Sequence, residues 1–115
     1  MIKERAMQLA DALESGKYQQ TRSHLRDARG FCCLGVACDV SGLGKWVPWT
    51  NGHYSTYMGA SRRLPSQVAR YFNFASETGE ARLDAGRSVE LTTMNDEGKT
   101  FAEIAAFIRE NWEKL

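Results

Sequence analysis

The side chains best suited to chemistry in this sequence are arginines that lie close to tryptophans and tyrosines. Ten arginines stand against five lysines. A guanidinium is a planar fork of donors that suits phosphate, and the faces of aromatic rings can stack on a purine. The pattern therefore predicts a pocket for a small, phosphate-bearing nucleotide ligand. Its predicted members are Arg22, Arg26, Trp46, Trp49, His53, Tyr54, Tyr57, Arg62 and Arg63.

The predicted roles divide this set into phosphate holders and base holders. We expect the four arginines to hold phosphates and the two tryptophans and two tyrosines to clamp the base. Asn51 and His53 would read the edge of that base. The alternative interpretation is that these aromatic side chains only pack beneath a loop.

Cysteine and histidine side chains form the second group that could do chemistry. Cys32, Cys33 and Cys38 lack the C-x2-C spacing of zinc sites, and on a helix Cys33 and Cys38 would point about 140° apart. A thiol near a helix N-terminus can have a lowered pKa, and His24 or His53 could serve as its base. Nothing in the sequence places either histidine beside a thiol. We therefore predict buried small side chains, with no metal, no cofactor and no catalytic residue.

Carboxylates and a helix-turn-helix pattern give weaker signals. The run Asn95-Asp96-Glu97 is typical of a solvated helix end. Asp39 lies on the helix predicted to be buried, so we expect it to form a structural ion pair with an arginine such as Arg22 or Arg26. Residues 98–105 resemble the first helix of a helix-turn-helix unit. Only residues 107–115 remain for a recognition helix, and the net charge is +1. We expect no binding to duplex DNA.

Composition limits the class of protein to which these residues belong. The 115 residues are 43% hydrophobic and 25% charged, which is typical of one globular domain spanning 1–115. No apolar run approaches the roughly 20 residues of a membrane span, and no signal-peptide pattern opens the chain. Three cysteines within seven positions form no closed disulfide framework and indicate a reducing compartment. We expect a cytoplasmic protein.

Hydrophobic periodicity and turn signals predict the elements of the first half. Apolar residues at helical spacing predict a helix over 2–13 that ends at Gly16, and residues 17–27 fit an exposed strand or extended loop. Asp27 to Gly30 form a turn, and residues 31–40 form a helix that is buried on several sides. Gly35 would let a neighbouring backbone approach that helix closely.

The second half is predicted to contain a hairpin followed by further helices. The Asn51-Gly52 dipeptide favours a tight turn between two short strands, or an ordered aromatic loop, within 45–64. Pro65 suits the first turn of a helix, residues 73–87 fit a surface loop, and Gly98 ends a short helix. Thr100 and Glu103 form a capping box for the last helix. The predicted fold is α+β, mainly helical, with a short β-hairpin or small antiparallel sheet.

Several blocks of the sequence together resemble a known family. These blocks are Glu14-Ser15-Gly16-Lys17-Tyr18, Leu25-Arg26-Asp27, Phe31-Cys32-Cys33-Leu34-Gly35-Val36-Ala37-Cys38-Asp39, Leu64-Pro65, and the stretch from Met94 to Ala105. Their order resembles a family of small proteins widespread in phage genomes, with Cys-Cys-Leu-Gly-Val as the most specific block. The resemblance implies a phage or prophage origin and action in the host cell cytoplasm. It brings no catalytic residues.

Three hypotheses about function follow from the residues and the resemblance. The leading one is a phage counter-defence protein that binds and sequesters a host nucleotide-derived immune signal, with the pocket between subunits of a homo-oligomer. The first alternative is a protein that docks on a host defence enzyme and inhibits it, because Trp, Tyr and Arg also dominate protein interfaces. The second alternative is a small hydrolase that degrades the signal.

Overall fold

The computed structural model describes residues 1–115 and contains five α-helices and two small sheets. The α+β architecture predicted from the sequence is confirmed. The elements are α1 (Lys3–Glu14), β1 (Arg26–Asp27), β2 (Gly30–Phe31), α2 (Cys33–Ser41), β3 (Trp46–Pro48), β4 (Tyr54–Tyr57), α3 (Ser66–Phe72), β5 (Glu80–Arg82), β6 (Ser88–Glu90), α4 (Leu91–Asp96) and α5 (Phe101–Asn111), followed by a 3-10 turn over Trp112–Lys114.

Helices α1 and α5 pack against each other through the apolar faces that their periodicity predicts. The buried side chains of α1 are Ala6, Leu9, Ala10 and Leu13, and those of α5 are Phe101, Ile104, Ala105 and Ile108. The capping box is confirmed, because Glu103 N donates to Thr100 Oγ1 (3.1 Å) and Thr100 N donates to Glu103 Oε1 (3.0 Å). No helix of the chain is long and apolar enough to cross a bilayer.

Helix α2 lies at the centre of the core. Its first six residues, from Cys33 to Cys38, are all buried. A Cβ atom on Gly35 would lie 1.8 Å from the carbonyl oxygen of Leu25, so only glycine permits this contact between α2 and the segment before β1. The close backbone approach predicted at Gly35 is confirmed.

The larger sheet is antiparallel throughout and has the strand order β2-β1-β4-β3. Its register pairs Arg26 with Ser55 and Trp46 with Tyr57. The β3–β4 hairpin closes through residues 49–53, where Gly52 has a φ of 73° and donates its N–H to Trp49 O at 2.9 Å. The predicted hairpin turn at Asn51-Gly52 is confirmed.

The prediction of a surface loop over 73–87 is wrong for part of that segment. Residues 80–82 form β5, which pairs with β6 in a two-stranded sheet. Ala81 is completely buried there, and Phe74 is also buried. A three-residue strand with one apolar residue between Glu80 and Arg82 is too short to produce a visible alternation in the sequence.

Asn95 corrects a second prediction, because it belongs to the core and not to a solvated helix end. Its side chain is completely buried. Asn95 Oδ1 accepts from the backbone N–H of Cys33 (3.1 Å) and from Gln20 Nε2 (2.9 Å), while Nδ2 donates to Thr21 O (2.8 Å). The amide therefore joins α4 to the start of α2 and to the segment that precedes β1.

Candidate aromatic and polar grooves

Arg26 lies across the face of the larger sheet beside two aromatic rings. Its guanidinium carbon is 4.6 Å from the ring centroid of Phe31 and 5.5 Å from that of Trp46. Beside it is a groove of about 410 Å³, which we call the aromatic groove. The pairing of Arg26 with Ser55, and of Pro48 with the same Ser55, brings three strands together at this groove. Its lining comprises Arg26, Asp27, Ala28, Trp46, Pro48, Gly52, Tyr54 and Ser55.

Asp39 fixes the orientation of Trp46, which forms one wall of the aromatic groove. Trp46 Nε1 donates to Asp39 Oδ1 (3.1 Å), and the Tyr18 hydroxyl donates to Asp39 Oδ2 (2.6 Å). Burial and the neighbouring Asp39 carboxylate raise the pKa of Tyr18 to about 12. The predicted pairing of Asp39 with an arginine is wrong, because two neutral donors hold the carboxylate at an exposed turn of α2. Arg26 is therefore not used to neutralise Asp39.

Tyr57 cannot take the base-clamping role that we predicted for it. Its side chain is only 1% exposed, and its hydroxyl accepts from the backbone N–H of Gly44 at 2.6 Å. Its ring lies 4.8 Å from that of Trp46, as part of the packing beneath the groove. For Tyr57 the alternative interpretation, an aromatic side chain that packs inside the domain, is the correct one.

Tyr54 is the centre of a stack of rings at the rim of the aromatic groove. Trp49 lies parallel to it, with a centroid distance of 5.6 Å and an interplanar angle of 11°. His24 also lies parallel to it, at 4.4 Å and 12°. No sequence pattern predicts His24 at this position, because it lies thirty positions from Tyr54 in a segment without periodicity. Trp49 itself does not line the groove.

Arg22 lies in a second depression, on the other side of the β1–β2 turn. This polar groove has a volume of about 390 Å³ and is lined by Gln20, Thr21, Arg22, Ser23, Asp27 and Arg29. The backbone N–H of Ser23 donates to Asp96 Oδ1 (2.9 Å), and Gln20 Nε2 donates to Lys99 O (2.8 Å). These bonds hold the residues on both sides of Arg22 against α4 and the residues that follow it. Arg29 also lines this groove but is not among the site residues predicted from the sequence.

Asp27 lines both grooves, but its carboxylate is engaged in the turn. Asp27 Oδ1 accepts from the backbone N–H groups of Arg29 (2.8 Å) and Gly30 (3.2 Å). Asp27 Oδ2 accepts from the Thr21 hydroxyl (2.8 Å). The predicted turn in which Asp27 bonds the nearby backbone is confirmed. The carboxylate of Asp27, the residue common to both grooves, therefore has its negative charge shared among three donors of the chain itself.

The structure brings only part of the predicted set together. Arg26, Trp46 and Tyr54 line the aromatic groove, and Arg22 lines the polar groove. The other members line neither groove. His53 is exposed in the hairpin loop, and Arg62 and Arg63 are exposed between β4 and α3.

Charge is distributed unevenly along the chain. Residues 17–70 contain eight Lys and Arg against two Asp and Glu, whereas residues 71–115 contain five against nine. The arginines with a carboxylate oxygen within 4.0 Å are Arg82, Arg87 and Arg109. Arg22, Arg26 and Arg29 have no such partner. The net charge near zero is therefore the sum of a basic region and an acidic one, and the basic region carries the unpaired arginines of the two grooves.

All three thiols are free and buried. Burial raises the pKa of Cys32 to about 11 and also raises the pKa values of Cys33 and Cys38. The Cys33 Sγ–H donates to Leu91 O at 3.5 Å. The hypothesis of a thiol with a lowered pKa at the start of α2 is wrong, because desolvation outweighs the nearby N–H groups. The chain also contains no group of three or more His, Cys, Asp or Glu that could hold a metal ion.

Comparison with known proteins places the chain in a family without assigning an activity to it. No curated protein and no solved structure matches the chain. A family model described as "Domain of unknown function (DUF8296)" matches residues 1–112, which is nearly the whole chain. The protein therefore belongs to the DUF8296 family.

Proposed function

We propose that this protein binds a phosphate-bearing nucleotide ligand at the aromatic and polar grooves and sequesters it without chemical conversion. The observation that carries the proposal is the group of three arginines, Arg22, Arg26 and Arg29, that line these grooves without a carboxylate partner. A guanidinium without a protein partner keeps its donors available for a phosphate.

The two grooves suit different parts of such a ligand. The aromatic groove, at about 410 Å³, falls within the size range of small-molecule sites. Trp46 and Pro48 give it apolar lining on the face of the sheet where the guanidinium of Arg26 lies. A base would stack on this lining with its first phosphate on Arg26. A second phosphate would reach Arg22 and Arg29 across the β1–β2 turn.

Sequestration fits the lining of the grooves better than hydrolysis does. Neither groove is lined by a cysteine or a histidine. Asp27 is the one carboxylate in both linings, and its oxygens already accept three hydrogen bonds. A general base must lie within hydrogen-bond reach of the proton that it abstracts, and this carboxylate is directed at Thr21 and the backbone of its own turn. In a phage, such a protein would remove a host nucleotide signal from the cytoplasm, and we propose this counter-defence role.

Isothermal titration against cyclic di- and trinucleotides and ADP-ribose derivatives tests the proposal. We expect at least one of them to bind, and we expect Arg26→Gln and Arg22→Gln each to weaken binding about tenfold or more, since a hydrogen bond to a charged group contributes about 1.5–3 kcal/mol. Arg70→Gln is the matched control, because Arg70 is exposed on α3 and also lacks a carboxylate partner.

Chromatography of the ligand after incubation separates the alternatives. Full recovery of the unchanged ligand supports sequestration, and a new product would support the hydrolase hypothesis instead. No heat of binding with any compound of the panel would overturn the proposal.

A further inference from the structure

The largest depression of the molecule lies away from the two grooves described above. It has a volume of about 760 Å³ and is formed by β5, β6, α4 and α5. Its floor is apolar and accessible, since none of its four hydrophobic residues is fully buried. These floor residues are Val89, Met94, Ala106 and Phe107.

Glutamates surround this apolar floor, and we call the whole depression the acidic groove. Lys99 is its one cationic residue. Glu97 and Glu110 form no hydrogen bond or ion pair through their carboxylates, so their charge is free to meet a cation. The five glutamates are Glu80, Glu90, Glu97, Glu103 and Glu110.

The β3–β4 hairpin presents the opposite combination, apolar side chains beside positive charge. Val47 is 56% exposed and Trp49 is 45% exposed. Alternation along β3 places Val47 on the face opposite to Trp46, and Lys45 and Trp49 flank the strand at its two ends. Lys45 has no carboxylate within 4.0 Å. The hairpin also belongs to the region of the chain where basic residues outnumber acidic ones.

We propose that the β3–β4 hairpin of one copy docks in the acidic groove of a second copy. Val47 and Trp49 would contact Met94 and Phe107, while Lys45 would meet the free glutamates. The two surfaces differ in shape, charge and sequence, so the contact is head-to-tail and leaves one hairpin and one groove free at the ends. Trp46 and the guanidinium of Arg26 beside it lie on the other face of the sheet, so this docking would leave them uncovered.

A contact of one hairpin with one groove is smaller than a standard protein interface of about 1,600 Å². The association should therefore be concentration-dependent in the micromolar range and weaker at high salt. Sedimentation velocity of the full chain at increasing concentration measures both properties. We expect the mean mass to rise above that of the monomer with concentration, and to fall when salt is added.

Two variants that each remove one side of the contact give the sharper test. Val47→Glu opposes the groove glutamates, and Glu110→Lys opposes the basic hairpin region. Each variant alone should remain monomeric. A mixture should form a 1:1 dimer that grows no further, because only the groove of Val47→Glu and the hairpin of Glu110→Lys are intact. Glu113→Lys is the control, since it makes the same charge change outside the groove and should assemble like the unmodified chain.

Unchanged melting temperatures establish that both variants are folded, as expected for substitutions at exposed side chains. A monomer at every concentration would overturn the proposal. Assembly that persists in either variant, or a mixture of the variants that stays monomeric, would overturn it as well.

Discussion

The α1–α5 helix pair and the face of the larger sheet use arginine in opposite ways. On the helix pair, Arg109 Nη2 lies 2.7 Å from Asp11 Oδ1 and 2.6 Å from Glu14 Oε1. These hydrogen bonds raise the pKa of Arg109. On the sheet, Arg26 lies over the rings of Phe31 and Trp46 and has no carboxylate partner. The charge of Arg109 is satisfied within the chain, whereas the charge of Arg26 remains available.

This difference separates the residues that build the domain from those that we propose to bind a ligand. Substitutions in the helical core should lower the free energy of unfolding. Substitutions at the grooves should lower the affinity for ligand with little effect on stability.

Gly35→Ala should have the largest effect on the core. The added Cβ would meet the Leu25 backbone carbonyl at 1.8 Å, and backbone atoms cannot move aside as a flexible side chain can. We expect a loss of about 3 kcal/mol or more in unfolding free energy, measured by urea denaturation. Gly42→Ala is the control, because Gly42 has open space around it and only a positive φ of 64° to strain the new residue. Equal losses for the two variants would contradict the close contact at Gly35.

Asn95→Ala should come second, because it removes the amide that joins α4 to the start of α2. The variant leaves the Cys33 N–H and the Thr21 carbonyl without their partner inside the core. We expect a loss of about 2–4 kcal/mol by urea denaturation, since each unsatisfied buried group costs about 1–3 kcal/mol. Asn111→Ala removes a half-buried amide with one bond to Phe107 O and should cost less than about 1 kcal/mol. A loss no larger at Asn95 than at Asn111 would be evidence against its central role.

The buried thiols predict how stability depends on pH. Burial raises the pKa of Cys32 from 9.0 to about 11, so the folded chain holds this proton more tightly than the unfolded chain does. The contribution is complete below pH 9 and is lost as pH rises from 9 to 11. We expect Cys32 alone to lower the unfolding free energy by about 1.4 kcal/mol per pH unit in this window. Urea denaturation from pH 8 to pH 11 measures the slope, which Cys32→Ala should reduce. An unchanged slope in that variant would contradict the burial of this thiol.

The helices and the hairpin could be predicted from the sequence because their signals are local. Ala6, Leu9 and Leu13 repeat at helical spacing, and Asn51-Gly52 is a turn signal that needs no tertiary context. The partners of Asp39 could not be predicted in this way. They are Tyr18 and Trp46, on either side of it in the sequence, and both pack against Phe31 of β2, which brings them to the same carboxylate.

The grooves show the same limit for function. Arg26, Trp46 and Tyr54 were predicted from residue type, and they do line one groove. Tyr57 has the same residue type as Tyr54 but is buried, because strand alternation turns the two rings to opposite faces. Arg29 lines the polar groove only because the turn at Asp27 places it there. Residue type therefore predicts the chemistry of the site, whereas strand alternation and the turn at Asp27 determine which side chains line it.

Arg109→Gln should have the smallest effect on stability. The ion pair with Asp11 and Glu14 is largely exposed, and such pairs contribute about 0–1 kcal/mol. We expect a loss within that range at low salt and a smaller one at high salt, measured by urea denaturation. A loss that does not depend on salt would show that Arg109 acts through packing of its side chain against Met7 and not through its charge.

Titration of one ligand into Arg26→Gln and Arg109→Gln distinguishes an arginine that binds phosphate from one that stabilises the helix pair. The ligand is the tightest binder of the cyclic-nucleotide and ADP-ribose panel. Arg26→Gln should weaken its affinity about tenfold or more while the unfolding free energy changes by less than about 1 kcal/mol. Arg109→Gln should leave the affinity unchanged. Equal affinities for the unmodified chain and Arg26→Gln would contradict the claim that the unpaired arginines at the sheet bind phosphate.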